Sequence, residues 1–157
     1  MKKRYYIAYG SNLNIRQMRM RCPQAGVIGT AVIKDYELLF KGNLTGAYLT
    51  IEPKKGSSVP VAVWEVTETD EAALDRYEGF PTFYYKKEME LDIRDIHTGK
   101  MRREKCFVYI MHEERKIGIP FPAYVNTCLQ GYNSFGFDEH FLSEAQMKAA
   151  EVARHEG

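Results

Sequence analysis

A chain of 157 residues carrying 22 Lys plus Arg against 21 Asp plus Glu has the length of one domain and almost no net charge. That balance gives no reason to expect nucleic acid or anionic lipid as a partner. Aromatic residues make up 13% of the chain and 11 of them are tyrosines, which favours an interior whose hydroxyls are aimed at something polar.

The opening residues, "MKKRYYIAYGSN", are basic but hold no apolar run long enough for a signal peptide or a membrane span, so a cytoplasmic location is expected. Residues 4–9 have the composition of a strand. It runs into Gly10, Ser11 and Asn12 and then into "NIRQMRMRCP", a short helix with Asn14 as N-cap and Gln17 three positions on, stopped by Pro23. Two readings of this junction stand. One is a strand-to-helix turn with a satisfied Asn cap. The other is an anion cradle, in which Gly10 permits φ > 0 or close approach of a ligand and free N–H groups at the helix start face a carboxylate or phosphate. Neither phosphate-loop nor dinucleotide glycine spacing is present. Arg16, Arg19 and Arg21 read as a solvated helix face.

Strands are predicted in "GVIGTAVI", "YELLF", "AYLTIEP" and "VPVAVWEV", the last by its apolar alternation. Residues 69–78 read as a helix with Thr69 as N-cap and Gly79 as the glycine that ends it. Glu78 falls four positions after Leu74, on the face Leu74 would bury, beside Phe80, Phe83, Tyr84 and Tyr85. Burial and the negative end of the helix dipole would both raise its pKa, which is how a carboxylate becomes a proton shuttle. The alternative is a frayed helix end with Glu78 in solvent, paired to a lysine.

Residues 84–111 form a long hairpin turning at Gly99, with His97 at its tip. "PAYVNTCLQG" follows as a helix ended by Gly131, and "DEHFLSEAQMKAAEVARH" as a terminal helix. Cys22, Cys106 and Cys128 lie far apart, and the four histidines show no ligand spacing, so reduced thiols and no metal are expected. No repeat or linker interrupts the chain. Residues 1–157 read as a single α+β domain, its helices segregated around an antiparallel, barrel-like sheet.

Two of these stretches carry a family likeness. "YIAYGSNLNIRQMRMRCP" resembles the N-terminal signature of the gamma-glutamylcyclotransferase-like proteins, with Tyr9-Gly10-Ser11-Asn12-Leu13 as its fingerprint, and "LDRYEGFPTFYY" resembles their catalytic-glutamate segment. The likeness continues through "KGNLTGAYLTIEP", "CFVYIMHE" and "GIPFPAYVNTCLQGYNSFGF". It implies a small mixed or antiparallel β-barrel with short helices around it. It also implies an enzyme that cyclises the gamma-glutamyl group of a gamma-glutamyl amide to 5-oxoproline and releases the amine, without cofactor or metal. Tyr9, Gly10, Ser11, Asn12 and Leu13 would hold the gamma-glutamyl moiety, mainly through backbone N–H groups, and Glu78 would be the acid–base residue. Tyr85 and Tyr109 would be pocket tyrosines, with Tyr84 competing for the place of Tyr85. The partner implied is a small gamma-glutamyl compound whose amine half the intervening loops select, and a homodimer is compatible with the likeness. A silent relative that only binds a small carboxylate, or a hydrolase releasing glutamate, are the rival readings.

Overall fold

The computed structural model describes residues 3–156. Five strands, β1 (Arg4–Ala8), β2 (Gly26–Lys41), β3 (Tyr48–Val66), β4 (Tyr84–Asp95) and β5 (Met101–Met111), close into a barrel in the order β1-β3-β2-β4-β5. Every pairing is antiparallel except the closing seam, where Tyr6 of β1 meets Phe107 of β5 in parallel. The barrel is therefore mixed. Around it stand α1 (Ile15–Arg21), α2 (Glu68–Glu78), α3 (Pro122–Phe135) and α4 (His140–Glu156), with a 3-10 turn at Ser11–Leu13.

The predicted hairpin of β4 and β5 is present, with Gly99 in its turn at φ 72°. The four short strands predicted between residues 26 and 66 are instead two long ones. The register of β2 on β3 shifts between Lys34 and Tyr36, where Asp35 takes φ 62° and its Oδ1 accepts from the Gly56 N–H at 2.9 Å. This bulge bends the pair without ending it, and the polar residues that looked like strand breaks lie at the bend. β3 lies between β1 and β2, and from Val59 to Trp64 it is buried without interruption. Cover on both faces removes the alternation expected of a half-exposed strand.

Two helix boundaries also differ from expectation. Helix α2 begins earlier than predicted: Thr67, not Thr69, is its N-cap, in a capping box with Asp70 that satisfies the N–H groups of both residues. Helix α3 runs through Gly131 and ends at Gly136, whose φ of 69° gives the left-handed cap. Gly131 serves packing instead. A Cβ there would fall 2.5 Å from the Leu13 carbonyl carbon and 2.7 Å from the Asn14 nitrogen, so only glycine lets α3 lie directly on the loop after β1.

Candidate active site

Where β1 and β5 finish and β4 begins, a cavity of about 330 Å³ opens. Its walls come from the loop after β1, the last turn of α2, the start of β3 and Tyr124 of α3. The loop is fixed before any ligand is considered. Asn14 caps α1 by accepting from the Gln17 N–H at 3.1 Å, and its Nδ2 reaches across to the Thr127 carbonyl and Gln130 Oε1 of α3. Within the 3-10 turn the first backbone bond runs from the Leu13 N–H to the Gly10 carbonyl, so the amides of Ser11 and Asn12 precede it and have no acceptor in the turn. Gly10 lines the cavity, and its φ of −127° is not the positive φ that a glycine there would allow.

A guanidinium locks this loop to α2. Arg21 donates to Asn12 Oδ1 at 2.5 Å and to Gln17 Oε1 at 2.6 Å, and its flat face lies 3.5 Å from the centre of the Tyr77 ring. Tyr77 is joined in turn to Ser11 by a hydroxyl–hydroxyl bond of 2.9 Å, and Asn12 Nδ2 donates to Tyr6 Oη at 2.9 Å. Only Arg16 and Arg19 of the three arginines are solvated as predicted. Arg21 belongs to the site.

Glu78 is the last residue of α2, and the left-handed Gly79 turns the chain away immediately after it. Its half-buried side chain lines the cavity, and among the described residues it has no ion-pair or hydrogen-bond partner. Burial pushes the carboxyl from its ordinary value of 4.5 up to about 7, against the opposing pull of Arg21. Burial also raises the hydroxyls of Tyr6, Tyr9, Tyr84 and Tyr124 well above the usual tyrosine range, and the charge of Glu78 adds to each. The cavity thus holds one carboxyl poised near neutrality inside a ring of permanently neutral phenols.

Of the residues singled out in the sequence, Tyr9, Gly10, Ser11, Asn12, Glu78 and Tyr109 line the cavity, and Leu13 and Tyr85 do not. Leu13 is fully buried beneath the loop, its amide spent on Gly10. Tyr85 faces the other side of β4, where its hydroxyl donates to the Glu113 carboxylate and its ring lies against His112. Adjacent residues on a strand face opposite ways, so Tyr84 takes the inward place and donates to the Leu49 carbonyl at 2.8 Å. Tyr109 is a wall and not a free donor, because its hydroxyl is given to Asp75 at 2.6 Å and Asp75 is held by Lys86 at 2.8 Å. Tyr6, Tyr48, Tyr77, Tyr124 and Arg21 were not singled out. The Gln17–Arg21 spacing of four on α1 was the one local signal that Arg21 is held rather than free.

The family model described as gamma-glutamyl cyclotransferase, AIG2-like, matches residues 6–125. The chain is 26% identical to mouse gamma-glutamylcyclotransferase over 159 residues, covering 97% of this chain and 81% of that protein. It is 31% identical to the bovine gamma-glutamylcyclotransferase over 138 residues, covering 83% and 71%. A solved structure of a gamma-glutamyl cyclotransferase superposes with a TM-score of 0.79 at 22% identity, over 92% of this chain and 87% of the other, a likeness of fold.

Proposed function

Because the chain belongs to the gamma-glutamyl cyclotransferase, AIG2-like family, we propose that it is a gamma-glutamylcyclotransferase-type enzyme in which Glu78 carries the proton. The observation behind the assignment is the unpaired Glu78 carboxyl, raised to about 7, in a cavity walled by the Gly10–Asn12 loop. A gamma-glutamyl amide brings its own nucleophile, so the protein has mainly to hold a near-attack conformer. The amides of Ser11 and Asn12 receive the α-carboxylate. Glu78 takes a proton from the α-ammonium, and the freed nitrogen forms a bond to the γ-carbonyl carbon. Having passed that first proton to solvent, Glu78 takes the second proton that the attacking nitrogen must shed and gives it to the departing nitrogen as its bond to that carbon breaks, leaving 5-oxoproline and the amine. One carboxyl near neutrality serves both transfers. Tyr6 Oη accepts from Asn12 and keeps its own proton to give, which suits it to stabilise the developing γ-oxyanion. Release of 5-oxoproline across a panel of gamma-glutamyl compounds tests the assignment, and release from none of them would defeat it.

Two further results are expected. No cluster of three or more His, Cys, Asp or Glu side chains among the described residues is arranged to hold a metal, and burial pushes the thiols of Cys22, Cys106 and Cys128 up to about 12. Turnover should therefore be unchanged by EDTA and by iodoacetamide. Chelator inhibition reversed by zinc or manganese would refute this.

The second concerns Arg21, whose charge opposes the burial of Glu78. Glu78 must be ionised to accept the first proton, so kcat/KM should rise with pH through about 7. Removing the charge in Arg21→Met should raise the Glu78 pKa and move that rise to higher pH. A profile that stays in place would show that Arg21 acts on the loop alone.

A further inference from the structure

Several of the large apolar side chains left exposed on this protein gather beside the cavity mouth. Tyr48 lines the cavity, its ring 5.1 Å from Tyr124 and 6.2 Å from Phe83, both also in the lining. Two residues before it, Gly46 lies so close under Phe121 that an added Cβ would fall 2.6 Å from the ring. The segment between β2 and β3 and the segment leading into α3 are joined edge to edge, with the Ile119 N–H donating to the Leu44 carbonyl at 2.9 Å and the Gly46 N–H to the Ile119 carbonyl at 2.7 Å. The two segments make one wall continuous with the cavity, and it presents Leu44 at 69% and Phe121 at 56% exposure, with Ile119 at 44%. Apart from the face of Phe121 that covers Gly46, these side chains are turned largely to solvent. An apolar wall continuing a ligand cavity is suited to the part of a ligand that projects from it.

The charges near the mouth bear on what projects. Arg76 lines the cavity on the opposite side, and Arg115 lies 4.0 Å over the Phe83 ring. Neither has a carboxylate within 4.0 Å among the described residues. The nearby carboxylate of Asp75 is already bound to Lys86 and Tyr109. Two unpaired guanidiniums against the single unpaired carboxyl of Glu78 disfavour a second positive charge on the ligand.

Resting on the cyclotransferase reading above, we propose that this wall binds the leaving half of the substrate, and that the amine released carries a bulky apolar group and no second cation. Leu44 and Phe121 are then specificity-determining residues lying outside the reacting centre.

The test measures kcat/KM for 5-oxoproline release from gamma-glutamyl-phenylalanine, gamma-glutamyl-alanine and gamma-glutamyl-putrescine by the full chain. Phenylalanine should exceed alanine by about tenfold or more, the usual return on added apolar contact, and putrescine should fall below both. Leu44→Ser and Phe121→Ser should each bring the phenylalanine-to-alanine ratio down toward one; two variants guard against one of them perturbing the loop. The same ratio, read as dissociation constants on the Glu78→Gln protein, needs no turnover. If no compound is cyclised, the cyclotransferase reading fails while the dissociation constants still decide the wall. Equal or better use of alanine or putrescine, or a ratio that neither variant moves, overturns the proposal.

Discussion

Glu78→Gln should lower kcat by about two to four powers of ten, because it keeps the shape of the side chain and removes its proton. On the proposed reading KM for the gamma-glutamyl group should change far less, since the amides of Ser11 and Asn12 would hold the α-carboxylate whatever stands at position 78. Misfolding is an easy rival explanation, and linkage separates the two. The folded protein holds the Glu78 proton up to about pH 7, while the unfolded chain loses it near 4.5. Between those values the folded state binds more protons, so ionisation of Glu78 costs stability as pH rises. The glutamine variant is free of that cost. At pH 8 its Tm should equal or exceed that of the native protein while its activity is almost gone. An inactive variant with a lower Tm would point to structure, and a variant with near-native turnover would remove Glu78 from the mechanism.

What could be read from the sequence was whatever depends on neighbours along the chain. The Asn14 cap, the Gly79 stop and the position of Glu78 on the Leu74 face are local, and each is where its spacing put it. Features set by distant contacts were not legible. Gly131 looked like a helix terminator because nothing in the sequence shows Leu13 pressing on it from across the fold. The sequence points to Thr69 as the cap, and the helix starts earlier because Thr67 and Asp70 exchange hydrogen bonds, each backbone N–H donating to the other's side-chain oxygen. Tyr84 and Tyr85 are interchangeable in composition, and the register of β4 on β5, with Tyr84 opposite Met111, selects which faces the cavity. Arg21 was hidden for the same reason: its partners Asn12 and Tyr77 come from different elements, and a basic residue on a short helix looks solvated until they are assembled.

Turnover in ¹⁸O-labelled water should give 5-oxoproline without label, with one equivalent of free amine. The expectation follows from where the attacking atom originates. If the substrate's own α-nitrogen closes the ring, no solvent oxygen enters at the γ-carbon, whereas a hydrolase would release glutamate with one labelled γ-oxygen. The lining residues include one unpaired carboxyl, the proposed proton carrier Glu78, but no activated protein nucleophile. Ser11 Oγ is bonded to the Tyr77 hydroxyl, whose pKa burial raises above the usual range, so the phenol stays protonated and cannot take the serine proton. The three cysteines are buried and none lines the cavity. A gamma-glutamyl amide acylated on its α-nitrogen should accordingly be inert, a loss of essentially all turnover, while still competing for the loop through its α-carboxylate. Labelled glutamate as the first product, or cleavage of the acylated compound, would replace cyclotransfer by hydrolysis. Free glutamate also cyclises slowly, so the earliest time points decide between them.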